Sequence, residues 1–173
     1  MTRGSPGPGG RFFDDFRVGD TYRSARGRTV LEADNTWFTL LTMNTNQIHF
    51  NRPFAEETEF GDCLVVSTLT LAIIVGLSVA DTSEYALANL GWKDIRLPAP
   101  VYAGDTLWAE SEVLNIRESG SRPNCGIVEV RTRGINQRSD VVIEFVRSFL
   151  VPKRGGSGAA SQFPETSEEW RVK

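Results

Sequence analysis

Residues 41–50 read LTMNTNQIHF and hold the chain's only histidine, His49. An imidazole titrates near neutrality, so His49 can take a proton from water and hand it back. Positioned proton transfer of that kind contributes ~10²–10⁴-fold to a rate. Acid/base sites usually set a carboxylate beside such a histidine. Here the neighbours are Asn44 and Asn46, whose amides can orient water or hold a loop but cannot take up a proton at neutral pH. The local carboxylates are Asp34, Glu56, Glu57 and Asp62, and Asp34 stands out because it precedes the motif. Blander readings compete with each of these. A lone histidine is often structural, asparagines serve turns, and an aspartate favours the first turn of a helix.

The elements around this stretch must position it. TYRSARGRTV (21–30) has strand character and turns near Gly27. EADNTWFTLLTM (32–43) sets Trp37, Leu40 and Leu41 at helical spacing behind acidic first-turn residues, which predicts a helix leading into the motif. RPFAEETEF (52–60) predicts a short helix stopped at Gly61. The segment 64–80, LVVSTLTLAIIVGLSVA, is apolar on every face, which predicts a helix enclosed by other structure. Strands follow over 86–97, 106–119, 126–136 and 141–151. The second alternates Leu107, Ala109, Val113 and Ile116 with one irregularity, and the last two join through a turn at QRSD. Helices first, then an antiparallel meander, give an α+β layered domain.

Bulk properties narrow the function. A chain of 173 residues favours one domain, here 11–153, between Gly/Pro/Ser-rich tails at 1–10 and 154–173 that read as flexible. A net charge of −3 without a basic block argues against a nucleic-acid partner. The apolar 64–80 run is too short and too hydroxyl-rich for a usual spanning helix, so no membrane partner is expected. Cys63 and Cys125 form no close-spaced metal pair, and free thiols suit a cytoplasmic protein. No metal or other cofactor is expected.

The pattern Asn44-Thr45-Asn46-Gln47-Ile48-His49, then Ala55, then Phe60-Gly61, resembles the motif of the MaoC-like (R)-specific enoyl-CoA hydratases. LPAPVYAGDTL (97–107) resembles a second stretch of that family, and the likeness runs over about residues 12–152. Residues 29–50 and 117–137 are similar to the branch that hydrates branched or dicarboxylic acyl-CoAs, itaconyl-CoA and mesaconyl-CoA hydratases among them. There are departures. The family Asp falls on Asn44, the family Pro on Gln47, and the Gly that opens the central helix on Ser67.

What the resemblance implies is a hot-dog fold, with a long helix wrapped by a curled antiparallel sheet. It also implies a homodimer or a multiple of one, and an acyl-CoA substrate whose CoA is no separate cofactor. His49 becomes the proton-transfer residue, Asn46 the holder of its loop or of the catalytic water, and Asn44 a water positioner. Asp34 is the reserve proton carrier. Amides around 66–68, at Ser67 and Thr68, can stabilise the thioester oxygen as it gains charge. Arg122, or Arg147, can pair with a substrate carboxylate, although strand arginines are more often solvated. The function classes left open are a CoA-thioester hydratase, a dehydratase on carrier-protein-bound chains, and a non-catalytic subunit supporting an active partner.

Overall fold

The computed structural model describes residues 10–155. The expected tails therefore lie almost wholly outside the described residues. Arg154, assigned above to the second tail, is held at the fold. Its backbone N–H donates to Asp14 at 2.8 Å and its guanidinium to Asp15 at 2.6 Å.

The order of elements follows the sequence pattern. Strands β1 (Thr21–Arg23) and β2 (Arg28–Thr29) are short, because the 21–30 segment breaks at its centre. Helix α1 (Glu32–Thr42) ends at Met43, whose backbone turns left-handed. Helix α2 (Arg52–Glu56) begins behind the cap of Asn51, and the long helix α3 spans Ser67–Thr82. Strands β3 (Ala88–Arg96), β4 (Thr106–Glu118), β5 (Cys125–Asn136) and β6 (Val141–Pro152) complete an antiparallel sheet in the order β1-β4-β5-β6-β3, with β2 also on β4. The irregularity expected in the 106–119 strand is a register shift between Val113 and Asn115.

Helix α3 packs on the inner face of the sheet, mainly on β4. Leu69, Ile73 and Ile74 meet Leu107, Ile143 and Phe145 in the larger apolar cluster. The contact is close enough to need glycine at one point: a Cβ on Gly134 would sit 2.6 Å from Ile74 Cγ1. The curled sheet covers the helix as expected and leaves one stripe of it open. Ala72, Gly76 and Ala80 recur every four residues and are exposed.

Two further expectations change. The apolar stripe of α1 points outward: Trp37 is 66 %, Leu40 68 % and Leu41 77 % exposed. The buried face of that helix is polar, formed by Asn35 and Thr39. Arg147 is not a solvated strand charge. It lies between Phe145 and Phe149 on the inward side of β6 and is 1 % exposed. Its Nη2 donates to the hydroxyls of Ser78, Thr82 and Ser83 at the end of α3.

Candidate active site

The loop carrying His49 is built by its asparagines. Asn44 Oδ1 accepts the backbone N–H of Asn46 at 3.0 Å, an Asx turn straight after α1. Asn46 Oδ1 accepts from the N–H of Ile48 at 3.3 Å and starts a 3-10 turn over Gln47–His49. Both amides therefore spend an acceptor on folding the loop. Asn44 lines an apolar groove of about 570 Å³ with Leu40, Met43 and Phe50, which is not the hollow that His49 lines.

His49 is half-buried, and its Nδ1 lies 2.9 Å from the carbonyl oxygen of Leu64. A carbonyl only accepts, so Nδ1 carries the proton and donates it, and Nε2 is the nitrogen with the lone pair. The imidazole borders a hollow of about 380 Å³ whose walls include Phe60, Leu64, Ser67, Thr70, Pro98 and Val101. That hollow is mostly apolar, and among the described residues no arginine or lysine lines it.

Ser67, in this wall, is the first residue of α3, and Thr68 follows it. The first N–H groups of a helix have no partner within it. The one at Val66 is taken by Asn35 Oδ1 at 2.9 Å, so of the amides at 66–68 those of Ser67 and Thr68 remain to face a ligand. They carry the positive end of a 16-residue helix.

The opposite wall is the Pro-rich loop 97–101, anchored by Asp105. That carboxylate is 4 % exposed and accepts from Tyr102 N–H at 3.0 Å, Gln137 at 2.7 Å and Arg138 at 2.8 Å. Burial pushes its pKa up, but the bonds from Arg138, Tyr102 and Gln137 outweigh burial and hold it below the ordinary carboxylate range. A carboxyl lowered by folding stabilises the fold above its unfolded pKa of ~3.9, and that stability is lost as pH falls through the lower folded value. Asp105→Asn should therefore flatten the fall of the urea midpoint between pH ~5 and ~3 relative to the parent chain. Equal slopes for the two proteins would remove this role.

Not every sequence candidate reaches the hollow. Asp34 accepts both Arg28 guanidinium nitrogens at 2.9 Å and caps the N–H of Leu31 at 2.8 Å. Arg28, helped by that N–H and against a partial burial, holds the carboxyl below its usual range. Asp34 is thus a paired helix-start residue in place of a reserve base. Arg122 is exposed in the turn between β4 and β5, beyond Glu118, with the length of β4 between it and the loop at Tyr102. It is not among the described residues that line the hollow beside His49.

Asn35 was missed by sequence reasoning. It is 3 % exposed and donates to the carbonyls of His49 at 2.8 Å and Leu64 at 2.9 Å. The available signal was an i, i+4 pair of small polar residues, Asn35 and Thr39, opposite an apolar stripe.

The model of the mesaconyl-CoA hydratase family matches residues 2–169. The chain belongs to that family. A β-methylmalyl-CoA dehydratase of Chloroflexus aurantiacus is 37% identical over 91% of this chain and 44% of its own length. A mesaconyl-CoA hydratase of Cereibacter sphaeroides is 35% identical over 87% of this chain and, again, 44% of its own length. Among solved structures, a conserved Mycobacterium tuberculosis protein with a double hot-dog fold superposes with TM-score 0.78. That match has 20% identity and covers 92% of this chain and 53% of the other. The fold is hot-dog, and the chain spans under half the length of these curated family relatives.

Proposed function

We propose that this chain is one hot-dog unit of a hydro-lyase. It adds water to, or removes it from, the 2,3 double bond of an enoyl-CoA thioester with a branched or dicarboxylic acyl group. The observation that carries this reading is His49. Its Nδ1 is committed to Leu64, its Nε2 holds the lone pair, and it shares a hollow with the first turn of α3. In hydration, Nε2 takes a proton from water as the oxygen bonds to the β-carbon. The electron pair of the double bond moves onto the thioester oxygen, which the N–H groups of Ser67 and Thr68 stabilise. The imidazolium then returns the proton to the α-carbon. The reaction needs no cofactor, since CoA travels with the substrate.

The relatives' names support a branched or dicarboxylic acyl group. Among the described residues the hollow holds no cation for a second carboxylate. A second unit can supply one. Among the described residues edge strand β3 pairs only with β6, and it exposes Leu90, Trp92 and Ile95. We therefore favour a homodimer or a multiple of one. No helix among the described residues is long and apolar enough to cross a membrane. Two free cysteines support a cytoplasmic location, which recovery of the chain from an oxidising compartment would refute.

Asn44, which stands where the wider family has a carboxylate, favours a second reading, in which the chain supports an active partner unit. One experiment separates the two. The purified chain is sized by light scattering, then assayed for loss of enoyl-thioester absorbance on mesaconyl-CoA, crotonyl-CoA and a carrier-protein-bound enoyl chain. The hydratase reading expects a dimer or larger and a higher kcat/KM on mesaconyl-CoA than on crotonyl-CoA. Turnover only of the carrier-bound chain moves the substrate to carrier proteins. No turnover of any of them by an intact oligomer favours the supporting role.

A further inference from the structure

Asn35 sits where three segments of the site meet. Its Nδ2 group has two donors, and both are spent on carbonyls, those of His49 at 2.8 Å and Leu64 at 2.9 Å. Its Oδ1 accepts from Val66 N–H at 2.9 Å, the last amide before α3. The Leu64 carbonyl receives two donors, Asn35 Nδ2–H and His49 Nδ1–H. One buried carboxamide thus touches the backbone of the histidine, the acceptor of its ring, and the root of the helix whose first residue, Ser67, lines the hollow. Nothing but an amide meets this demand with so few atoms: two donors for carbonyls and one acceptor for an N–H.

We propose that Asn35 is a positioning residue for proton transfer: it fixes the Leu64 carbonyl as acceptor of His49 Nδ1–H, keeps Nε2 unprotonated, and holds α3 in register with the imidazole. This rests on the reading of His49 as the residue that moves the proton. An imidazole in water favours the proton on Nε2, the wrong tautomer for a base that works at that atom. The Leu64 carbonyl reverses the preference only while it stays aimed at Nδ1. Its own chain neighbours hold it in part, through Leu64 N–H to Ile48 at 3.1 Å and Val65 N–H to Val101 at 2.8 Å. Asn35 supplies the only side-chain bond to that carbonyl besides the histidine itself, among the described residues.

The test uses a property of this sequence. With a single histidine, the ring ¹⁵N signals need no assignment. The untagged full chain is labelled and its spectrum recorded above the histidine titration. The expected spectrum has the proton on Nδ1 and a lone-pair nitrogen at Nε2. A proton on Nε2 in the unmodified chain overturns the proposal at once, without any variant. Asn35→Asp keeps the size and the acceptor for Val66 but removes both donors, and Asn35→Ala removes all three bonds. Either folded variant is expected to move the proton toward Nε2. Where the parent turns over an enoyl-CoA, kcat should fall up to ~10²-fold with KM nearly unchanged, the signature of a misplaced catalytic group. A folded variant that keeps the Nδ1 tautomer, or loses it at unchanged kcat, overturns the role. If the parent turns over no thioester, the spectra still decide on Asn35, while the hydratase reading falls separately.

Discussion

His49→Ala is expected to lower kcat on the best enoyl-CoA substrate by ~10²–10⁴-fold while the protein stays folded. Among the described residues that border the hollow, the imidazole is the only acid/base side chain. The nearest rivals are engaged elsewhere: Asp34 by Arg28, and Asp62 by Arg52 at 2.9 Å. Asn44→Ala is expected to cost only ~2–10-fold, because it removes one neutral hydrogen bond of ~0.5–1.5 kcal/mol. The bond lost is in the loop, where Asn44 Oδ1 accepts Asn46 N–H, outside the hollow that His49 borders. Asn44→Asp keeps an oxygen for the same N–H and restores the carboxylate of the wider family. Little change, or a loss, would fit an amide that folds the loop outside the hollow bordered by His49. A large gain would mean the parent site is impaired and would promote the supporting-subunit reading. Near-normal rates for folded His49→Ala would sink the mechanism outright.

How much of this was legible in the sequence depended on whether a residue acts through local or distant partners. The 64–80 helix, the irregular 106–119 strand and the QRSD turn all follow from local periodicity and turn chemistry, and each appears where the pattern puts it. The Asn44–His49 loop was legible for the same reason, since Asx turns bind within two residues. Asn35 was not, because its partners are 14, 29 and 31 residues away. Only the closed fold brings them together. Helix α1 misleads in a related way. A hydrophobic stripe normally marks the buried side, but here the buried side is spent on polar work for the site. Trp37, Leu40 and Leu41 are left outside. Arg122 is exposed in the turn between β4 and β5 and does not line the hollow, a placement that spacing along a chain does not report.

Arg147→Ala is expected to lower stability by ~2–5 kcal/mol, read as a drop in urea midpoint at unchanged m. Arg147→Met should cost under ~1.5 kcal/mol or stabilise. The difference follows from what surrounds the guanidinium. It is buried beside the ring of Phe149, 5.0 Å from the centroid, and it donates only to hydroxyls. Its Nε has no hydrogen-bond partner among the described residues. Burial pushes its pKa down to about 10, so it stays charged at neutral pH while its desolvation opposes folding. For a base lowered in this way the unfolded chain binds the proton more tightly. The penalty is therefore constant at neutral pH and eases only as pH climbs past 10. Two of the three hydroxyls do not depend on the arginine for partners: Ser78 donates to Val75 and Thr82 to Ser78, each at 2.7 Å. Removing the charge thus strands few groups, whereas removing the volume opens a cavity between β6 and the end of α3. Met fills that space without the charge, and Ala does not. Equal losses for the two variants would show that the cation itself stabilises the fold, through the negative end of α3.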